Sequence, residues 1–138
     1  RLEGGKLSEL DWSERPRQSR RQRHPQSSIR QLIRCLDSYF TNASFPKIPS
    51  LVPSGTAFQQ RVWRALLQIP CGSVKTYGQL AVELKSGRRA VGQACRSNPI
   101  AVLIPCHRVV AAADMGGYMG ATGHLHIKRW LLEHEGVY

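Results

Sequence analysis

Residues 88–110 read RRAVGQACRSNPIAVLIPCHRVV, and the rest of the chain is best read outward from them. The first ten predict a helix that stops ahead of Asn98-Pro99, because proline disfavours helical backbone in the residue before it. Arg88 and Arg89 open that helix, and the small residues Ala90, Gly92 and Ala94 follow at close intervals. Two readings of the small residues stand side by side: close approach to a nucleic-acid groove, or tight packing of one helix on another. After Pro99, IAVLIPCHRVV is rich in β-branched residues and predicts a buried strand broken at Pro105.

Upstream, the short break Ser86-Gly87 separates this helix from YGQLAVELK, which Thr76 and Gln79 introduce as a capping-box pair. Two short helices joined by a tight Gly-containing turn are the pattern of a helix-turn-helix. A second capping pair, Thr56 and Gln59, introduces FQQRVWRALLQI, with Phe58, Val62, Trp63, Leu66 and Leu67 as its apolar face. Further upstream, TNASFPKIPSLVPSGT carries three prolines and predicts an extended connection. SIRQLIRCLDSYF before it spaces Ile29, Leu32, Ile33, Leu36 and Phe40 as one side of an amphipathic helix. Residues 13–27 are polar, Arg-rich and without apolar periodicity, so they predict a loop. Downstream, AAADMGGYMGATGH is a Gly-rich loop, and HIKRWLLEHEG predicts a closing helix with Ile127, Trp130 and Leu131 inward and Gly136 as its stop.

Twenty Lys and Arg against nine Asp and Glu give a net charge of +11, which favours a polyanionic partner. Part of that excess is Arg15, Arg17, Arg20, Arg21 and Arg23 crowded together, so the charge sets a direction and no more. No apolar run approaches the roughly 20 residues of a membrane span, and the opening residues lack the apolar stretch of a secretory signal. Cys35, Cys71, Cys95 and Cys106 fall at no disulfide-like or zinc-like spacing, which predicts reduced thiols in an intracellular protein and no metal site.

Cys106 stands out because His107 follows it directly and a proline interrupts the strand in front. A thiol needs a base before it becomes a nucleophile. Neighbouring side chains of an extended chain point to opposite sides, so His107 would act only across a bend or through a bridging water. Glu133 and Glu135 of the closing helix are the carboxylates available to orient the imidazole. On these residues alone, a Cys-His-carboxylate site and a buried cysteine beside a surface histidine are equally good readings.

The string PCHRVV, with RAVGQACRSNPIAVLI before it and a Gly-Tyr turn and WLLEHEG after it, resembles the O6-alkylguanine-DNA alkyltransferase family. The resemblance extends upstream through FQQRVWRALLQIPCGSVKTYGQLA and covers about Thr56 to Gly136. It implies an α+β fold, with a helical C-terminal domain bearing a helix-turn-helix over 51–138 and a partial smaller α/β domain over 1–50. Residues 1–50 resemble only the later part of that smaller domain, whose opening strands are expected to lie outside this sequence. The implied function is direct-reversal DNA repair, with an alkyl group moved irreversibly from O6 of guanine to the protein's own cysteine, once per molecule.

Residue by residue, the resemblance makes Cys106 the acceptor, His107 its base through a water, and Glu135 the holder of the imidazole. Asn98 matches the residue that braces the active-site turn. Tyr77 matches the one that guides the DNA backbone and donates a proton to the departing guanine. Arg89 matches the residue that fills the hole left by a flipped nucleotide, and Arg96 joins it as a DNA contact. Tyr118, Met119 and Val109 are expected around the base. The implied partner is double-stranded DNA carrying O6-alkylguanine, bound through the minor groove by a monomer without cofactor or metal, in the cytoplasm of a bacterium or the nucleus of a eukaryote. Two departures qualify this. In one loop, Met119-Gly120-Ala121 follows Tyr118 where the family has a small residue and two glycines, and a few extra residues around Thr122–His126 precede the last helix; the other is the N-terminal region, which shows none of the zinc-ligand pattern that some members carry. The bulk of Met119 is therefore expected to affect which alkyl groups fit.

Three rival functions are expected to fail on particular features. A lesion-binding module without chemistry would lack the acceptor that Cys106 provides. A methylation-dependent regulator would carry further DNA-binding domains, and a Cys-His-Glu hydrolase gives no reason for the basic helix.

Overall fold

The computed structural model describes residues 1–10, 12, 26–45, 47–119 and 124–138. Most of the predicted Arg-rich loop, and residues 120–123 of the Gly-rich loop, lie outside the described residues. The chain divides into two compact units, Arg1–Ser54 with Pro99–Ala101, and Gly55–Asn98 with Val102–Tyr138.

The first unit opens on a hairpin the sequence reading did not anticipate, β1 (Leu2–Glu3) and β2 (Lys6–Leu7). They pair antiparallel, Leu2 opposite Leu7. Gly4 and Gly5 both have positive φ, 55° and 79°, which a tight two-residue hairpin turn requires and glycine supplies without strain. Leu7 is fully buried and its backbone bonds to Ser50 and Val52. Helix α1 (Gln26–Asn42) begins two residues earlier than the sequence suggested. Its inward side also differs from the expected one. Cys35 and Tyr39 are buried, whereas Ile29, Ile33 and Phe40 are exposed. Tyr39 stacks on Phe45 with ring centroids 4.6 Å apart. That aromatic anchor turns the helix toward the 35/39 side, and a periodicity count that omitted Cys35 and Tyr39 missed it.

The second unit is mainly helical. Helix α2 (Ala57–Leu66) starts at the capping box of Thr56 and Gln59, with both reciprocal bonds formed. It buries Val62, Trp63 and Leu66, and leaves Leu67 exposed just beyond its end. β3 (Lys75–Thr76) leads directly into α3 (Tyr77–Glu83), whose capping box of Thr76 and Gln79 is also complete. The turn after α3 includes Lys85 at φ 50° and delivers Gly87 as the N-cap of α4 (Arg88–Arg96). These two packed helices are the predicted helix-turn-helix pair. The Trp63 indole N–H donates to the Ala94 carbonyl at 2.9 Å and ties α2 to α4 inside the core. Among the small residues, Ala94 therefore serves helix packing, while Ala90 is exposed and Gly92 half-buried.

The predicted strand over 100–110 is a correction. Every residue from Ile100 to Val110 is buried, as expected, but only Val109–Val110 is strand, β4. Val102 has φ 69°, and Pro105 sits at φ −82°, ψ 63° with the Cys106 N–H bonded to the Ile104 carbonyl at 2.8 Å. That is an inverse γ-turn, which proline's fixed φ favours. A 3₁₀ turn, Cys106–Arg108, follows. A buried apolar run specifies burial, and burial alone does not choose between strand and turn. β4 pairs parallel with β3, Lys75 opposite Val109 and Thr76 opposite Val110, so the 3₁₀ turn arrives beside the start of α3. Helix α5 (Leu125–His134) closes the unit and buries Leu131 and Leu132. Trp130, expected inward, is 48% exposed and stacks on His134, while Lys128 takes the interior position. No described helix is long and apolar enough to cross a membrane.

Candidate active site

A cavity of about 570 Å³ opens in the second unit between the start of α3, one side of α4 and the loop after β4. Cys106 lies on its wall, with Tyr77, Arg89, Arg96, Tyr118 and Met119 also lining it. Sequence reading named all six. It also named Val109, which the structure places in β4, fully buried and away from the cavity lining. Asn98, His107 and Glu135 sit behind the wall.

Cys106 is held by its turn. The Asn98 side-chain amide donates to the Ile104 carbonyl at 2.8 Å and to the Cys106 sulfur at 3.2 Å, so one buried side chain fixes the γ-turn and the thiol together. Burial pushes the Cys106 thiol up to about 11, against the opposing pull of the Asn98 N–H and the Lys128 charge. The group is therefore a thiol at neutral pH and needs a base to react.

The next residue in the chain is a histidine. His107 is fully buried, and its Nε2 lies 2.7 Å from Glu135 Oε1. A carboxylate at that distance accepts, so Nε2 carries the proton and Nδ1 presents a lone pair. Nδ1 is buried and has no hydrogen-bond partner among the described residues. A buried polar atom of this kind takes an ordered water. Burial holds His107 below its ordinary range, offset in part by Glu135, so the imidazole is neutral and its Nδ1 can accept a hydrogen bond.

Glu135 is fixed by a residue that sequence reading passed over. Arg108 donates through Nε to Glu135 Oε2 at 2.8 Å and through Nη2 to Oε1 at 2.9 Å. Its Nη1 donates to the Ile69 carbonyl at 2.6 Å. This two-pronged contact orients the carboxylate. Glu133, the other carboxylate considered, is exposed.

Lys128 was also missed. It is fully buried, with Nζ donating to the carbonyls of Val109 at 2.6 Å and Gly117 at 2.9 Å. Nζ also lies 5.9 Å from the Tyr77 ring centroid. Desolvation brings its pKa down to about 8, against the opposing effect of nearby Cys106 and Cys95. No local sequence signal marks such a lysine, because its partners are carbonyls of a distant loop. The Tyr77 hydroxyl donates to Gly117 O at 3.4 Å, and desolvation raises its pKa, so the phenol remains a proton donor. Gly116, at φ 68°, lets the loop pass close to that ring, since a Cβ there would sit 3.0 Å from Tyr77 Cε2.

The rim of the cavity is basic. Arg88, Arg89 and Arg96 are exposed on α4 and all line it. The arrangement thus puts a buried thiol on the wall of a cavity with a basic rim, and a neutral histidine next to it in the chain. Among the described residues, no group of three or more His, Cys, Asp or Glu is placed to hold a metal ion.

Comparison with known proteins agrees in kind. The family described as 6-O-methylguanine DNA methyltransferase, DNA binding domain, matches residues 57–137. The chain is 42% identical over 109 residues to a methylated-DNA–protein-cysteine methyltransferase of Methanosarcina mazei, covering 78% of this chain and 68% of that one. It is 50% identical over 84 residues to the protein of that name from Salmonella typhimurium, covering 59% and 48%. A crystal structure of Mycobacterium tuberculosis OGT in complex with DNA aligns with TM-score 0.69 at 42% identity, over 77% of this chain and 66% of that one. The chain thus spans about half to two thirds of the length of these relatives.

Proposed function

The chain belongs to the 6-O-methylguanine DNA methyltransferase family, and we propose that it repairs DNA by moving an alkyl group from O6 of guanine onto Cys106. The observation that carries this reading is the Asn98–Cys106–His107–Glu135 constellation at the wall of an Arg-rimmed cavity.

In a stacked duplex, O6 is out of reach of a thiol at the foot of a cavity, so the nucleotide is extruded into it. Arg89, exposed at the rim, fills the resulting gap and answers the phosphates with its charge. Arg96 adds a further phosphate contact. The protein acts as a monomer through the minor groove, where sequence information is poor, as suits a protein that must find a lesion anywhere. It works where the chromosome is, in bacterial cytoplasm or a eukaryotic nucleus.

The chemistry is a direct displacement. His107 Nδ1 takes the Cys106 proton through a bridging water, which leaves a thiolate steadied by the Asn98 N–H and the Lys128 charge. Sulfur attacks the alkyl carbon, the S–C bond forms as C–O6 breaks, and the electron pair passes to the guanine. The Tyr77 hydroxyl, kept protonated by burial, donates to the departing base. The proton on His107 then restores Tyr77 by way of solvent, so protons balance. Tyr118 and Met119 wall the base. The thioether is stable, and each molecule reacts once.

Cys106→Ala tests this reading. It is expected to bind duplex DNA containing O6-methylguanine as tightly as the parent while transferring no methyl. Retained transfer in the variant would overturn the assignment of Cys106.

A further inference from the structure

We propose that the first unit carries a polyanion site of its own, a cavity beside α1 that takes phosphate groups of the DNA backbone; this rests on the reading above only in taking DNA as the partner. The cavity has a volume of about 450 Å³. Ser27, Arg30, Gln31, Arg34 and Cys35 of α1 line it, together with Lys47 from the segment that follows the helix. None of these residues belongs to the cavity that holds Cys106.

The lining is polar and its charge has one sign. Arg30 and Arg34 stand four residues apart, so they share one face of α1. Both are exposed, as is Lys47. Among the described residues, no Asp or Glu lines the cavity, and Cys35 is its one apolar member. Like charges at a spacing of four residues destabilise a helix, and Lys47 adds a third cation to the same space. An anion in the cavity relieves that repulsion.

The donor set fits phosphate in particular. A guanidinium group is a planar fork that meets two phosphate oxygens at once, and lysine adds a point charge. The Ser27 hydroxyl and the Gln31 amide are neutral donors for the remaining oxygens. Arg30 and Arg34 are separated by about 6 Å along the helix axis, on the scale of neighbouring phosphates in a strand. A row of phosphates therefore suits the pair better than one isolated ion. Phosphate contacts fix position and carry no sequence information, so this site adds affinity for any duplex, damaged or not.

The test measures binding of an undamaged duplex by fluorescence anisotropy over a range of salt concentrations, and so does not depend on transfer to Cys106. The parent is compared with Arg30→Gln/Arg34→Gln/Lys47→Gln and with the control Lys6→Gln/Arg64→Gln/Arg129→Gln. The control removes three exposed charges from separate elements, outside both cavities. Each phosphate contact contributes about 0.9 to the slope of log Kd against log salt, so the cavity variant should bind more weakly with a slope shallower by about 2–3. The control should keep the parent's slope. An unchanged slope in the cavity variant would overturn the site, and an equal fall in the control would reduce the effect to net charge. Should the slope stay unchanged while inorganic phosphate raises the Tm of the parent and not of the cavity variant, the cavity would hold free phosphate instead of DNA. A parent that does not bind the duplex would overturn this site and the repair reading together.

Discussion

The contact between Arg108 and Glu135 puts a carboxylate with no side-chain exposure in the core of the second unit. Arg108→Met keeps most of the volume and removes three hydrogen bonds, two of them to that carboxylate. Each charge-assisted bond is worth about 1.5–3 kcal/mol, so the two to Glu135 suggest roughly 3–6 kcal/mol. Glu135 keeps the His107 N–H and the Cys71 thiol as partners, and it can also take up a proton. These limit the loss to about 3–5 kcal/mol, the usual result of breaking one side of a buried ion pair. The assay is urea unfolding followed by circular dichroism, in a cycle with Glu135→Gln and the double variant. Once the charge at 135 is gone, losing Arg108 leaves no buried anion behind, so the double variant should lose clearly less than the two singles added. A loss under about 1 kcal/mol for Arg108→Met, or strict additivity across the cycle, would mean that Arg108 does not hold the buried carboxylate.

Arg89→Ala should slow transfer from a duplex on the order of tenfold or more, since a few kcal/mol of unstacking are at stake, while binding to undamaged DNA changes little. Equal losses, read by transfer kinetics and gel shift, would make Arg89 a phosphate contact only. Trp63→Phe leaves the Ala94 carbonyl without its indole donor and should cost about 1–3 kcal/mol in the same unfolding assay. His107 stands below its ordinary value of 6.5 because burial disfavours the imidazolium. Below that pH the unfolded chain binds more protons than the folded one. Its contribution to stability is therefore complete above pH 6.5 and is lost as pH falls, by no more than about 1.4 kcal/mol per pH unit. Unfolding curves between about pH 7.5 and 5 should show a shallower decline in His107→Asn than in the parent, and parallel declines would contradict the assignment.

What the sequence disclosed follows from how local each signal is. Thr56 with Gln59 and Thr76 with Gln79 announced two helix starts because a capping box is complete within four residues. The helix-turn-helix followed from those starts and from Ser86-Gly87. Cys106 and His107 drew attention because they are adjacent behind Pro105, whereas Asn98 was named only through the family resemblance. The inverse γ-turn at Pro105 was not legible, since the bond from Asn98 to Ile104 that sustains it is made by a side chain whose reach periodicity does not encode. Arg108 and Lys128 were passed over for a related reason. A charged residue reads as surface unless its partners are known, and theirs are Glu135, Ile69, Val109 and Gly117, far away along the chain. Val109, expected near the base, pairs with Lys75 in β4 and is not among the residues that line the cavity.

Transfer of the alkyl group to Cys106 can be read by mass spectrometry of the intact protein and its peptides. The protein is mixed with duplex DNA containing O6-methylguanine and digested. One methyl group per molecule is expected, on the peptide that holds Cys106, with no further gain on adding more DNA. Binding without any change in mass, or a methyl group on the peptide of Cys71 or Cys95 instead, would contradict it.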